Sequence, residues 1–181
     1  MYSRFASRRA PARLFTGISL ALACSAAPMG SALAQSAVPA ALIPAEATHV
    51  VAALKASGTQ IYICKRDTDN KLSWAFKAPS AELYDASGEL IVTHSAGPTW
   101  AAADGSKING EVLQQAPSPD QPGSIPLLLL RATHSVGPGL LSTVRYVQRL
   151  DTHGGAAPSG PCTQEGQEGR SPYIAEYRFL G

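Results

Sequence analysis

Residues 90–110 read LIVTHSAGPTWAAADGSKING, and the fold turns on how that run is divided. Leu90, Ile91 and Val92 are strand formers, and Gly97-Pro98 stops any regular element from running through. Asp104-Gly105 and Asn109-Gly110 are dipeptides that accept positive φ at low steric cost. The run therefore predicts strand, bend, strand, turn and strand.

Outward from it the same grammar repeats. Upstream, residues 48–56 suit a strand or a short helix that ends at Gly58, and residues 59–65 alternate Ile61 and Ile63 against Tyr62 and Cys64 as a strand. Asp67 to Asn70 turns the chain, and Leu72, Trp74 and Phe76 share one face of the next strand. Asp85-Ala86-Ser87-Gly88 has type I turn chemistry. Downstream, PSPDQPGS at 117–124 is a loop, and 125–132 is an apolar run of strand length. Gly137-Pro138-Gly139 turns the chain again. In 140–150 the positions Leu140, Val144, Tyr146 and Leu150 predict an inward face, with Arg145 and Arg149 on a wet one. Residues 152–172 form a long loop, and the alternation of Tyr173, Ala175, Tyr177 and Phe179 with Ile174, Glu176 and Arg178 marks a last strand. The count is about eight to ten strands with no helix of standing. That predicts an all-β fold, a single antiparallel β-sandwich or small β-barrel with long loops.

Composition bounds the rest. In residues 1–34, Arg4, Arg8, Arg9 and Arg13 precede an apolar stretch at 14–27, and Ala32-Leu33-Ala34 is a small-x-small cleavage site. This predicts a signal peptide at 1–34 and a protein exported to the periplasm or secreted, with lipidation of Cys24 as a rival reading. A flexible lead-in at 35–47 and one β domain at 48–181 follow. Cleavage leaves 147 of 181 residues, with 11 basic side chains against 13 acidic ones, so the mature balance is −2. Nothing in that balance points to nucleic acid, and after cleavage no stretch suits a transmembrane segment. Cys64 and Cys162 remain as an even pair, predicting one disulfide across a span of 99 residues.

THSAGPTWAAADGSKING, together with GTQIYIC at 58–64, WAFKAPSAELYD at 74–85, SIPLLLL at 124–130 and VRYVQRLDTHGGAAP at 144–158, resembles a bacterial and fungal family known as domain of unknown function 3455. The resemblance runs from Ala52 to the C-terminus, with His153 at the variable position of a T-x-G-G element. It implies one fold over that whole span. The family carries no established activity to transfer.

The chemistry has to be read from side chains. His94 ends a strand beside the Gly97-Pro98 bend, with Trp100, Asp104 and Ser106 near in sequence, so the four are candidate ligand-binding residues. The bland alternative is a histidine whose ring satisfies loop backbone, and for a lone His it is the commoner case. His94, His134 and His153 would form a zinc or copper site if their strand ends converged. Asp85 with Asp104 would be a carboxylate pair only if the fold joined them. Trp74 and Trp100 would stack on a flat ligand if exposed. The six-residue pattern T-H-S-x-G-P recurs at 93–98 and 133–138 with unlike flanks, which argues for coincidence over duplication. Fold signals abound and catalytic motifs do not. The expectation is a non-enzymatic extracytoplasmic module that binds a small molecule, a glycan or an envelope partner, with a small metal-dependent enzyme using His94 as the alternative.

Overall fold

The computed structural model describes residues 37–46, 49–119, 121 and 123–181. The expected signal peptide, with Cys24, lies outside the described residues. Among those described there are eight strands: β1 (Val50–Arg66), β2 (Leu72–Tyr84), β3 (Leu90–Ser95), β4 (Thr99–Ala102), β5 (Lys107–Ala116), β6 (Leu127–Val136), β7 (Tyr146–Gly154) and β8 (Glu168–Leu180). Each pairs antiparallel with the next, and β8 returns to β1 from Val50↔Leu180 to Ile63↔Glu168, so the sheet closes on itself. Of the two all-β architectures, this is the barrel. Closure leaves β1 and β8 without an open edge along that seam. No described helix is long and apolar enough to cross a membrane.

The turns obey local chemistry. Asp67 Oδ1 accepts the amides of Asp69 and Lys71, and Asp85 Oδ1 accepts those of Ser87 and Glu89. Cys64 and Cys162 are joined, tying the end of β1 to the loop before β8.

Two glycines that read as breaks lie inside strands. β1 runs straight through Gly58, where an added Cβ would meet Ala81 Cβ at 2.4 Å and Ser80 O at 2.5 Å. Asn109-Gly110 is part of β5, and a Cβ on Gly110 would stand 2.9 Å from Trp100 Cζ3. Both glycines serve close approach and neither turns the chain. Because the obstacle at Gly58 is partly backbone, Gly58→Ala is expected to cost about 1–3 kcal/mol in urea denaturation, the usual range for overpacking. A loss within about 0.5 kcal/mol, the range of ordinary surface changes, would show that β1 and β2 can separate without penalty.

The inward face of β7 is the reverse of the expectation. Val147 belongs to the interior cluster and Arg149 lines the same space, while Leu150 joins Leu42, Leu127 and Leu129 in a second cluster on the outer face. The residues Leu140 and Val144 are not in this strand at all but in the turn region before it. The reason is a cover. The segment expected to be a flexible lead-in packs Leu42, fully buried, over β6 and β7, and Gln148 Nε2 donates to Leu42 O at 2.6 Å. With both faces covered, apolar residues no longer mark the inside, which also explains the unbroken Leu127 to Leu130 run.

β3 and β4 are the shortest strands, and their lengths place the site. Pairing of β2 with β3 begins only at Ala81↔His94, and pairing of β4 with β5 extends only to Thr99↔Asn109. Beyond the Gly97-Pro98 bend, the first half of β2 and the second half of β5 therefore face each other with no strand between them. The barrel wall has a window there. Pro79 stands on the window edge of β2, where the missing N–H breaks no ladder.

Candidate ligand site in the barrel wall

Behind the window lies a cavity of about 150 Å³. Its rim is Phe76, Lys77 and Pro79 from β2, Gly97 and Pro98 from the bend, and Val112 from β5. Its inner wall is His94, Trp100, Leu128, Leu130, Arg149 and Tyr177. Phe76 and Val112 are 57% and 52% exposed, so the mouth is apolar on both sides.

His94 points inward because it shares a face of β3 with Val92, both being buried, while Thr93 between them is exposed. Its ring stacks on Trp100 with centroids 4.6 Å apart and planes 8° from parallel, and Tyr177 lies tilted at 5.4 Å. Nδ1 is 2.9 Å from Thr99 O, a carbonyl, so Nδ1 carries the proton and Nε2 carries the lone pair. Burial, reinforced by the Arg149 charge and only partly offset by the Thr99 bond, pushes the imidazole pKa down to about 4. The ring is neutral at pH 7. Its use of a bend carbonyl is what a structural histidine does, yet the same ring also walls the cavity.

Arg149 is 8% exposed. Its Nε and Nη2 both donate to Pro126 O, at 3.2 and 2.8 Å, and no carboxylate pairs with it among the described residues. The Tyr177 hydroxyl is 3.3 Å from that of Tyr173, and burial raises the pKa of both phenols. Trp100 Nε1 and Gln60 Nε2 are buried without an acceptor among the described residues.

Of the candidates drawn from the sequence, the structure brings together His94 and Trp100. Asp104 and Ser106 sit at the other end of β4, in its turn to β5. There Asp104 Oδ1 accepts the Ser106 amide and hydroxyl, Asp104 Oδ2 accepts Leu140 N–H, and Ser106 Oγ accepts Leu141 N–H. The Ser106 hydroxyl and then the Leu140 amide hold the Asp104 carboxyl below its usual range. Both residues seat the buried Leu141 and do not line the cavity.

The three imidazoles do not converge. His134 is exposed on β6 opposite Asn109, and His153 on β7 lies 3.2 Å from Asp151 Oδ1. Among the described residues no group of three His, Cys, Asp or Glu side chains is placed to hold a metal ion. The two T-H-S-x-G-P segments differ in the same way, one histidine buried and the other exposed. Asp85 and Asp104 each serve their own turn. Trp74 is half-buried and gives its Nε1–H to Gly160 O at 2.8 Å.

Sequence reasoning missed Arg149, Tyr177, Phe76 and Leu128 as site residues. The available signal for Arg149 was its i+2 spacing from Val147, which makes it share a face with an apolar residue.

These features define a small up-and-down antiparallel β-barrel, opened on one side onto an apolar cavity with one buried cation. The chain belongs to the family DUF3455, described as a protein of unknown function, whose model matches residues 44–181. Comparison with curated proteins and with solved structures gives no match.

Proposed function

We propose that the chain is a non-enzymatic binding module that works outside the cytoplasm and takes a small, largely apolar ligand through the window in its barrel wall. The observation that carries this reading is the cavity itself, whose mouth is formed by exposed Phe76 and Val112 and whose wall includes Leu128 and Leu130. Exposed aromatic and aliphatic side chains around a concavity are the usual mark of a ligand or partner surface. A cavity near 150 Å³ suits one aromatic ring or a short acyl chain, which favours a small molecule over a glycan. Export is supported by the basic, apolar and small-x-small order of residues 1–34.

The test is titration calorimetry with benzyl alcohol, a neutral single-ring probe, on the wild-type chain and on Leu128→Trp. Leu128 is only half-buried, so the larger side chain fills the cavity with modest disturbance of the interior. Saturable one-to-one binding to the wild type, lost in Leu128→Trp while the far-ultraviolet spectrum is unchanged, is the expected result. Equal heats from both proteins would remove the cavity as the binding site.

A further inference from the structure

The polar groups of the cavity are unequal in kind. No Asp or Glu is among its lining residues, whereas Arg149 and Lys77 both are. Lys77 is at the rim and already ion-paired with Glu168. Arg149 is different, because no carboxylate faces it among the described residues: the carbonyl of Pro126 takes two of its five N–H donors, the Tyr177 hydroxyl is its other partner, and both are neutral and balance none of its charge. A guanidinium removed from water is costly unless an anion or a full set of acceptors compensates it. Trp100 adds an indole N–H with no acceptor among the described residues. The interior of the site thus has donors and positive charge in excess of acceptors and negative charge.

Resting on the reading of this cavity as a ligand site, we propose that its ligand is a small amphipathic anion, a carboxylate borne on a single ring or short acyl chain. The carboxylate meets the Arg149 guanidinium, and the apolar body lies between Leu128, Val112 and Phe76. Such a ligand supplies what the wall lacks. Arg presents a planar fork that matches a carboxylate in two-point fashion, and a pairing shielded from water is stronger than one on the surface. The neutral ring of His94 adds no second positive charge, so a single negative charge is the match and a dianion is not.

Calorimetry at pH 7 on the full chain compares benzoate and hexanoate with benzyl alcohol and 1-hexanol, using wild type, Arg149→Lys and Arg149→Gln. The expected result is a carboxylate preference of about tenfold or more in the wild type. It persists in weaker form in Arg149→Lys and disappears in Arg149→Gln, which still binds the alcohols. Equal affinity for acid and alcohol in the wild type overturns the proposal, and so does a preference that survives Arg149→Gln. If the alcohols bind and the carboxylates do not, only the anion assignment falls. If neither set binds at millimolar concentration, the cavity reading falls with it. Should Arg149→Gln fail to fold, the wild-type comparison decides alone.

Discussion

Loss of the Cys64–Cys162 disulfide, by reductant or in a Cys64→Ala/Cys162→Ala variant, is expected to lower stability by about 2–5 kcal/mol. The bond joins residues 98 apart in sequence, so it removes a large share of the conformations open to the unfolded chain. A loop near 100 residues corresponds to about 4.7 kcal/mol on the chain-entropy account, with strain and residual unfolded structure reducing what is realised. The native contacts around it are independent of it. Cys64 N–H donates to Gln167 O and Gly166 N–H to Cys64 O, and the 155–167 loop is also held by Tyr62 Oη to Gly155 O and by Trp74 Nε1 to Gly160 O. The barrel should therefore still form without the bond, at a lower urea midpoint. Both cysteines are buried, so reduction in the native state should be slow and should accelerate as urea approaches the transition. A double variant within about 0.5 kcal/mol of wild type would show that the unfolded chain is already compact across that span.

Stability should also fall by about 3 kcal/mol as pH drops from 6.5 to 4, and His94 should account for it. The folded-state pKa of His94, about 4, lies below the ordinary value of 6.5. Between those values the unfolded chain takes up a proton that the native chain refuses. Protonation thus draws the equilibrium toward unfolding, by about 1.4 kcal/mol per pH unit across the window. The effect is complete near pH 4 and absent above about 7. The carboxylates of Asp85, Asp104, Glu168 and Glu176 have lowered values and lose their contributions at more acid pH, so they add a second decline rather than explaining the first. In His94→Asn the side-chain amide can still donate to Thr99 O, and nothing titrates at that position. Urea midpoints measured from pH 4 to 8 should then be nearly flat above pH 4.5. An undiminished slope in His94→Asn would assign the decline to another group.

Much of the fold is legible in short stretches because the responsible forces are short-ranged. Asp67 to Asn70, Asp85 to Gly88 and the Gly97-Pro98 bend turn the chain by chemistry contained in four residues. Alternation from Tyr173 to Phe179 assigns a face because successive side chains of a strand point oppositely. His94 and Trp100 could be selected as neighbours because a tight bend sets them opposite each other, in the pair His94↔Trp100.

The remainder depends on which strands meet and for how long. Gly58 and Gly110 look like turn residues until Ala81 and Trp100 are known to press against them. Leu150 looks inward until Leu42, more than a hundred residues away, is found covering the outer face.

By itself, then, the sequence determined an all-β chain, most of its turns, the pairing of Cys64 with Cys162 and the inward side of its last strand. Only the tertiary structure decided that the sheet closes, that Arg149 lies inside it, and that short β3 and β4 leave a window onto a cavity. Those features arise from contacts between residues far apart in the chain, and periodicity within one segment carries no information about which distant segment it will face.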